Sequence, residues 1–127
     1  MWREQFGNKF GAKSTEYKNQ TYHSKSEAGY ARDYDLMLQS GELSKVERQI
    51  KIPLGVNGHH ICNYYVDFRL TYHDGRIELI EVKGFETEVF RLKRLLLEAT
   101  YLAENPDITY RVIRTGGWRA MGGRRRR

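Results

Sequence analysis

Two turn-forming dipeptides, Asn57-Gly58 and Asp74-Gly75, divide the middle of this chain into three extended runs: Val46 to Leu54, His60 to Thr71 and Arg76 to Lys83. The runs are rich in β-branched and aromatic residues. Asx-Gly between such runs is a strong hairpin signal, because both residues tolerate the left-handed backbone that a tight reversal needs. The spacing predicts an antiparallel meander.

Helical periodicity flanks it. Ser24-Lys25-Ser26-Glu27 opens a segment with Ala28, Ala31, Tyr34 and Leu38 at helical spacing, and Gly41 ends it, which predicts a helix at about 25 to 39. A second helix is expected from Glu88 to Glu104, with Val89, Leu92, Leu95, Leu96, Ala99 and Leu102 as its apolar face, a basic opposite face and a stop before Pro106. Thr109 to Arg114 reads as a last strand. The order α-β-β-β-α-β, without internal repeat, argues for one α/β (α+β) domain. A strand that follows a crossover helix can return parallel to an earlier strand, so the expected sheet is mixed and flanked by helices. The domain is expected at 21–115. Residues 1–20, rich in glycine, lysine and polar residues, read as a basic arm with little secondary structure, and residues 116–127 as a flexible Gly/Arg-rich tail.

At 127 residues the chain can bury an ordinary core without disulfides. Its single cysteine, Cys62, together with the lack of an apolar amino-terminal stretch, points to a reducing, cytoplasmic compartment with no membrane partner. Arg124 to Arg127 supply four of the six net positive charges. Within the body, Lys9, Lys13, Lys18 and Lys25 cluster early and Arg91, Lys93 and Arg94 late, a distribution suited to polyanion contact or to plain solvation.

The chemistry centres on the last hairpin. Asp67 ends Tyr65-Val66-Asp67, and Glu81-Val82-Lys83 ends the next run. Two carboxylates that can share a divalent cation, with an ammonium one step along the same strand face, suit metal-assisted phosphodiester hydrolysis. The competing reading is a structural salt bridge involving Glu81 and Lys83. Register decides whether the acids meet. A two-residue loop of Asp74 and Gly75 pairs His73 with Arg76 and puts Glu81 on the face opposite Asp67. A three-residue loop of His73, Asp74 and Gly75, with Gly75 left-handed, pairs Tyr72 with Arg76 and Asp67 with Glu81, and the period of two brings Lys83 to the same face with Ile77 and Leu79. The three-residue loop is the expectation, motivated by that chemistry. Glu27, three residues after Ser24, reads locally as half of a capping box, although a helix laid against the sheet could also deliver this carboxylate to a metal. His59, His60 and Cys62 lack the spacing of a closed zinc site. No nucleophile triad, phosphate loop or small-molecule cofactor fingerprint is present in the sequence.

These residues resemble the PD-(D/E)XK nuclease superfamily, and more narrowly the small phage and prophage endonucleases described as Holliday-junction-resolvase-like. The likeness rests on Asn8-Lys9-Phe10-Gly11-Ala12-Lys13 with Thr15-Glu16-Tyr17, on Ser24-Lys25-Ser26-Glu27-Ala28, on Tyr65-Val66-Asp67-Phe68 and on Glu81-Val82-Lys83-Gly84, and it spans residues 8 to about 113. Val66 stands where the superfamily's name puts proline. The resemblance implies a restriction-endonuclease-like core in which Glu27, Asp67, Glu81 and Lys83 are catalytic. Asp67, Glu81, the Val82 carbonyl and Glu27 would hold Mg²⁺ or Mn²⁺ in oxygen coordination. Lys83 would orient the attacking water or stabilise growing negative charge. Gln49 resembles a glutamine often found near such sites, where it can hydrogen-bond a water in the metal's shell, and it reads equally as the outward half of an alternating strand. Lys9, Lys13, Lys25, Arg91, Lys93 and Arg94 are the expected DNA contacts. Tyr17 and Tyr22 are candidates for base stacking, whereas Tyr30 and Tyr34 are expected in the core.

The implied function is a metal-dependent DNA endonuclease acting on branched, four-way DNA, which as a resolvase cutting two symmetric strands would be a homodimer. Two alternatives stand beside it: a nuclease of flap, nicking or duplex specificity, and a non-catalytic basic nucleic-acid-binding module.

Overall fold

The computed structural model describes residues 15–17, 20–22 and 25–115. The elements are β1 (Thr15–Tyr17), β2 (Gln20–Tyr22), α1 (Lys25–Ser40), β3 (Leu43–Val56), β4 (His59–Tyr72), β5 (Ile77–Lys83), α2 (Glu88–Ala99), α3 (Tyr101–Glu104) and β6 (Ile108–Arg114). β3 to β6 form one sheet in the order β3-β4-β5-β6, antiparallel except for the parallel pair β5 and β6. This is the expected mixed sheet flanked by helices.

Helix α1 forms where Ala28, Ala31 and Tyr34, at i, i+3 and i+6, present a narrow buried stripe to the sheet. It stops at Gly41, whose φ of +91° a residue with a Cβ would adopt only under strain. The Gly41 N–H donates to the Leu38 carbonyl and the Glu42 N–H to the Met37 carbonyl, which satisfies the last turn. The first hairpin turns at Asn57 and Gly58, both at positive φ, as the dipeptide predicts. Both of its strands run 14 residues. β5 pairs with β4 only from Phe68 to Thr71, so the end of the hairpin reaches past β5.

Two apolar clusters divide the core. Ala28, Ala31, Tyr34, Leu43, Phe68, Leu70 and Ile80 pack under α1, whereas Ile52, Leu54, Tyr64, Val66 and Leu79 pack with Phe90 and Leu97 of α2. Along β4 the buried positions 64, 66, 68 and 70 keep a period of two, yet the first pair belongs to the α2 cluster and the second to the α1 cluster. The exchange falls at Asp67. On β3 it falls between Val46 and Ile50, where Gln49 has φ +50°. A left-handed residue interrupts strand alternation and redirects the side chains that follow.

Three expectations need correction. The reading of residues 1–20 as an arm with little secondary structure fails at its end, because Thr15–Tyr17 pairs antiparallel with Gln20–Tyr22. Three-residue strands of Thr and Tyr are too short to show a period, so β-propensity was the only signal there. The rest of that segment, and residues 116–127, lie outside the described residues. The second helix is interrupted at Thr100, whose Oγ1 donates to the Leu96 carbonyl and which divides it into α2 and α3. Its core face overlaps the expected one only in part: Leu96 and Leu102 pack against the cluster as expected, but Phe90 and Leu97 are the buried residues, while Val89, Leu92 and Leu95 are exposed. α2 carries two apolar stripes, and the aromatic one takes the core because it buries more area.

Candidate active site

The second hairpin turns through three residues. Tyr72 accepts from the Gly75 N–H and donates to the Arg76 carbonyl, both at 2.9 Å, and Gly75 has φ +95°. Asp74 braces the loop through the Arg76 N–H and guanidinium. The ladder then runs Thr71 with Ile77 through Phe68 with Ile80, and one further step brings Asp67 level with Glu81. The register that lets the carboxylates meet is the one the chain adopts.

Three acids are buried here: Glu27 at 3 % exposure and Asp67 and Glu81 at 1 % each. Carboxylates rarely leave water unless they are paired or bound, so three on neighbouring elements mark a place where function competes with stability. Each arrives by a different route. Glu27 stands in the first turn of α1, one residue before the buried Ala28. Its carboxylate Oε2 accepts from Arg48 Nη2 and from Gln49 Nε2, both at 3.2 Å. Gln49 Nε2 also donates to Asp67 Oδ1 at 3.1 Å, so one amide group joins the helix acid to the strand acid. The other Asp67 oxygen accepts from the Val82 N–H at 2.9 Å, which fixes this carboxylate against the backbone between Glu81 and Lys83. The cap half of the Glu27 reading, Ser24, lies outside the described residues.

Lys83 follows Leu79 and Glu81 at the strand period, and its ammonium lies 4.6 Å from the ring centre of Phe90, a member of the same cluster as Leu79. Behind Glu81, the hydroxyls of Tyr64 and Tyr110 share a 2.6 Å hydrogen bond. Burial, and then the Glu81 charge, push the Tyr64 phenol far above its ordinary value; burial also raises Tyr110. These phenols stay protonated and neutral.

The donor set suits a hard cation in kind, since every candidate ligand is an oxygen. In spacing, among the described residues, no group of three or more His, Cys, Asp or Glu side chains is arranged to hold a metal ion. The Gln49 amide lies between two of the acids instead.

The expected phosphate contacts are less uniform. Arg91 is exposed beside Glu88 at 3.5 Å; Lys93 donates to the Asn63 carbonyl; Arg94 is largely buried between Glu86 and Glu98. Arg94 is thus occupied in holding α2 to the loop before it. Lys9 and Lys13, and the side chain of Lys25, lie outside the described residues. Tyr34 is buried and Tyr30 packs against its cluster, as expected. Arg48 and Phe90 were not singled out from sequence. For Arg48 a usable signal was its place next to Gln49; for Phe90 it was an aromatic at the third position after the capping Thr87, where glutamate is usual.

Comparison with curated proteins and with solved structures finds no match to this chain. Residues 7–115 match the family model DUF1064, described as a protein of unknown function, and that span holds every described element above. The chain therefore belongs to the DUF1064 family.

Proposed function

We propose that this protein is a divalent-metal-dependent DNA endonuclease of the PD-(D/E)XK type, acting on branched DNA such as a four-way junction. The observation that carries the reading is the convergence of Glu27, Asp67 and Glu81, buried, on one stretch of sheet with Lys83 on the Glu81 face. A core selected only for stability would place apolar groups there. In this reading Asp67, Glu81, the Val82 carbonyl and Glu27 would hold Mg²⁺ or Mn²⁺, which supplies Lewis acidity at a phosphoryl oxygen and a more acidic water.

The chain's own residues do the rest. Asp67 is oriented by the Val82 N–H and Gln49, so its free rotation is already lost before any ligand arrives. Gln49 keeps Glu27 and Asp67 in register with each other, and Arg48 offsets the Glu27 charge. Lys83 stands at the open end of this row, half-buried, where its ammonium can orient a water or meet charge growing on a phosphoryl oxygen. A nuclease that resolves a junction makes two symmetric cuts, so the active species would be a two-fold homodimer.

The test is cleavage of a labelled four-way junction and a matched linear duplex with Mg²⁺, Mn²⁺ or EDTA, beside Asp67→Asn. Paired cuts in the junction alone, lost with EDTA and with the variant, are the expected result. Cutting of both substrates replaces junction specificity with a broader nuclease. Salt-sensitive binding without cleavage of either, unaffected by Asp67→Asn, overturns the hydrolase in favour of a binding module.

A further inference from the structure

We infer that Phe90 is a positioning residue for Lys83: its ring holds the ammonium at the site's edge and away from the neighbouring carboxylates. The inference rests on the hydrolase reading. Lys83 ends β5 beside the exposed Gly84, two residues after the buried Glu81 and next to Val82, whose N–H donates to the buried Asp67 carboxylate. A long flexible ammonium in such a place tends to fall onto the nearest carboxylate, where it would block the oxygens a cation needs. Among the described residues Lys83 makes no salt bridge; its ammonium sits 4.6 Å from the Phe90 ring centre, within cation–π range.

Both partners are held in place. The Lys83 carbonyl accepts from the Thr115 N–H at 3.1 Å, and its backbone pairs with Arg114 of β6. Phe90 is 6 % exposed, stacks at a tilt against Tyr64 with ring centres 6.3 Å apart, and donates its N–H to the Thr87 Oγ1 that caps α2. The ring is therefore a fixed platform rather than a chance neighbour. It attracts the ammonium through its π face and holds it without an ion pair among the described residues.

The experiment compares the full chain with Phe90→Leu, Phe90→Tyr and Lys83→Met. Two quantities are read: the proton shift of the Lys83 ε-methylene, moved upfield by a ring beneath it, and the metal-dependent, single-turnover cleavage rate on the substrate that the wild type cuts. Phe90→Leu is expected to lose the upfield shift and to slow cleavage by about two- to thirtyfold with substrate affinity unchanged, the range of one cation–π contact. Phe90→Tyr is expected to restore both. Cleavage equally slow in the Tyr and Leu variants would make Phe90 a packing residue only and overturn the inference. So would a wild-type rate in Phe90→Leu when Lys83→Met is inactive. A wild type that cuts nothing with any metal overturns the hydrolase reading itself, and the ε-methylene shift still reports separately whether the contact exists.

Discussion

Gln49 offers the sharpest quantitative test, because two properties of one residue pull its substitutions in opposite directions. Its amide donates to two buried carboxylates at 3.2 and 3.1 Å, while its backbone sits at φ +50°. Hydrogen bonds to charged groups are worth about 1.5–3 kcal/mol each in mutational series, but part of that returns as water reaches this half-buried position, so Gln49→Ala should destabilise by about 2–3 kcal/mol. Glycine in a strand is ordinarily worse than alanine by about 0.5–1 kcal/mol. Here the left-handed backbone costs alanine about 1–2 kcal/mol that glycine escapes, so Gln49→Gly should be the more stable of the two by about 0.5–1 kcal/mol. For a domain of this size that is roughly 2–4 °C in Tm. Urea unfolding of the three proteins, with the slopes checked for equality, measures the difference. Alanine equal to or better than glycine refutes the assignment of strain to Gln49, and a loss under about 0.5 kcal/mol in both refutes the importance of the amide bridge. Mg²⁺ should narrow the gap between Gln49→Gly and the wild type, since a cation would replace the lost positive dipole between the acids.

Metal binding itself predicts that Mg²⁺ or Mn²⁺ raises Tm, by about 1.4 kcal/mol of stability at ten times the dissociation constant, and that Glu81→Gln abolishes the rise in a thermal-shift titration. In alkaline solution, Tyr34 should ionise at about 12, with burial as the main cause, and Tyr64 and Tyr110 should resist ionisation until the protein unfolds. All three folded values lie above the unfolded one near 10, so this contribution to stability is whole below about pH 10 and is lost as pH rises toward the folded values; tyrosinate absorbance followed with circular dichroism checks the order of events.

The site was legible in outline because its parts are local signals. Asp67 and Glu81-Val82-Lys83 end apolar runs, and the Asp74-Gly75 turn restricted the register to two choices. Both choices satisfy the dipeptide. What selects the three-residue loop is that it keeps Phe68 beside Ile80 and Leu70 in the α1 cluster, a long-range packing requirement. Glu27 shows the limit differently: its sequence context supports a helix cap, and only the docking of α1 on the sheet brings its carboxylate to Arg48 and Gln49.

The chain's sequence by itself determined the order of elements, the two turns, the α1 stop at Gly41 and the two acids on neighbouring strands of the second hairpin, because each depends on backbone preference or periodicity within a few residues. Tertiary structure alone decided which stripe of α2 is buried, since Phe90 and Leu97 gain more from the sheet than Val89 and Leu92 do. It also decided that Gln49 takes a left-handed turn within a strand, which no local preference favours. That strain is tolerated because the same turn joins two acids through one amide and passes the hairpin from one core cluster to the other.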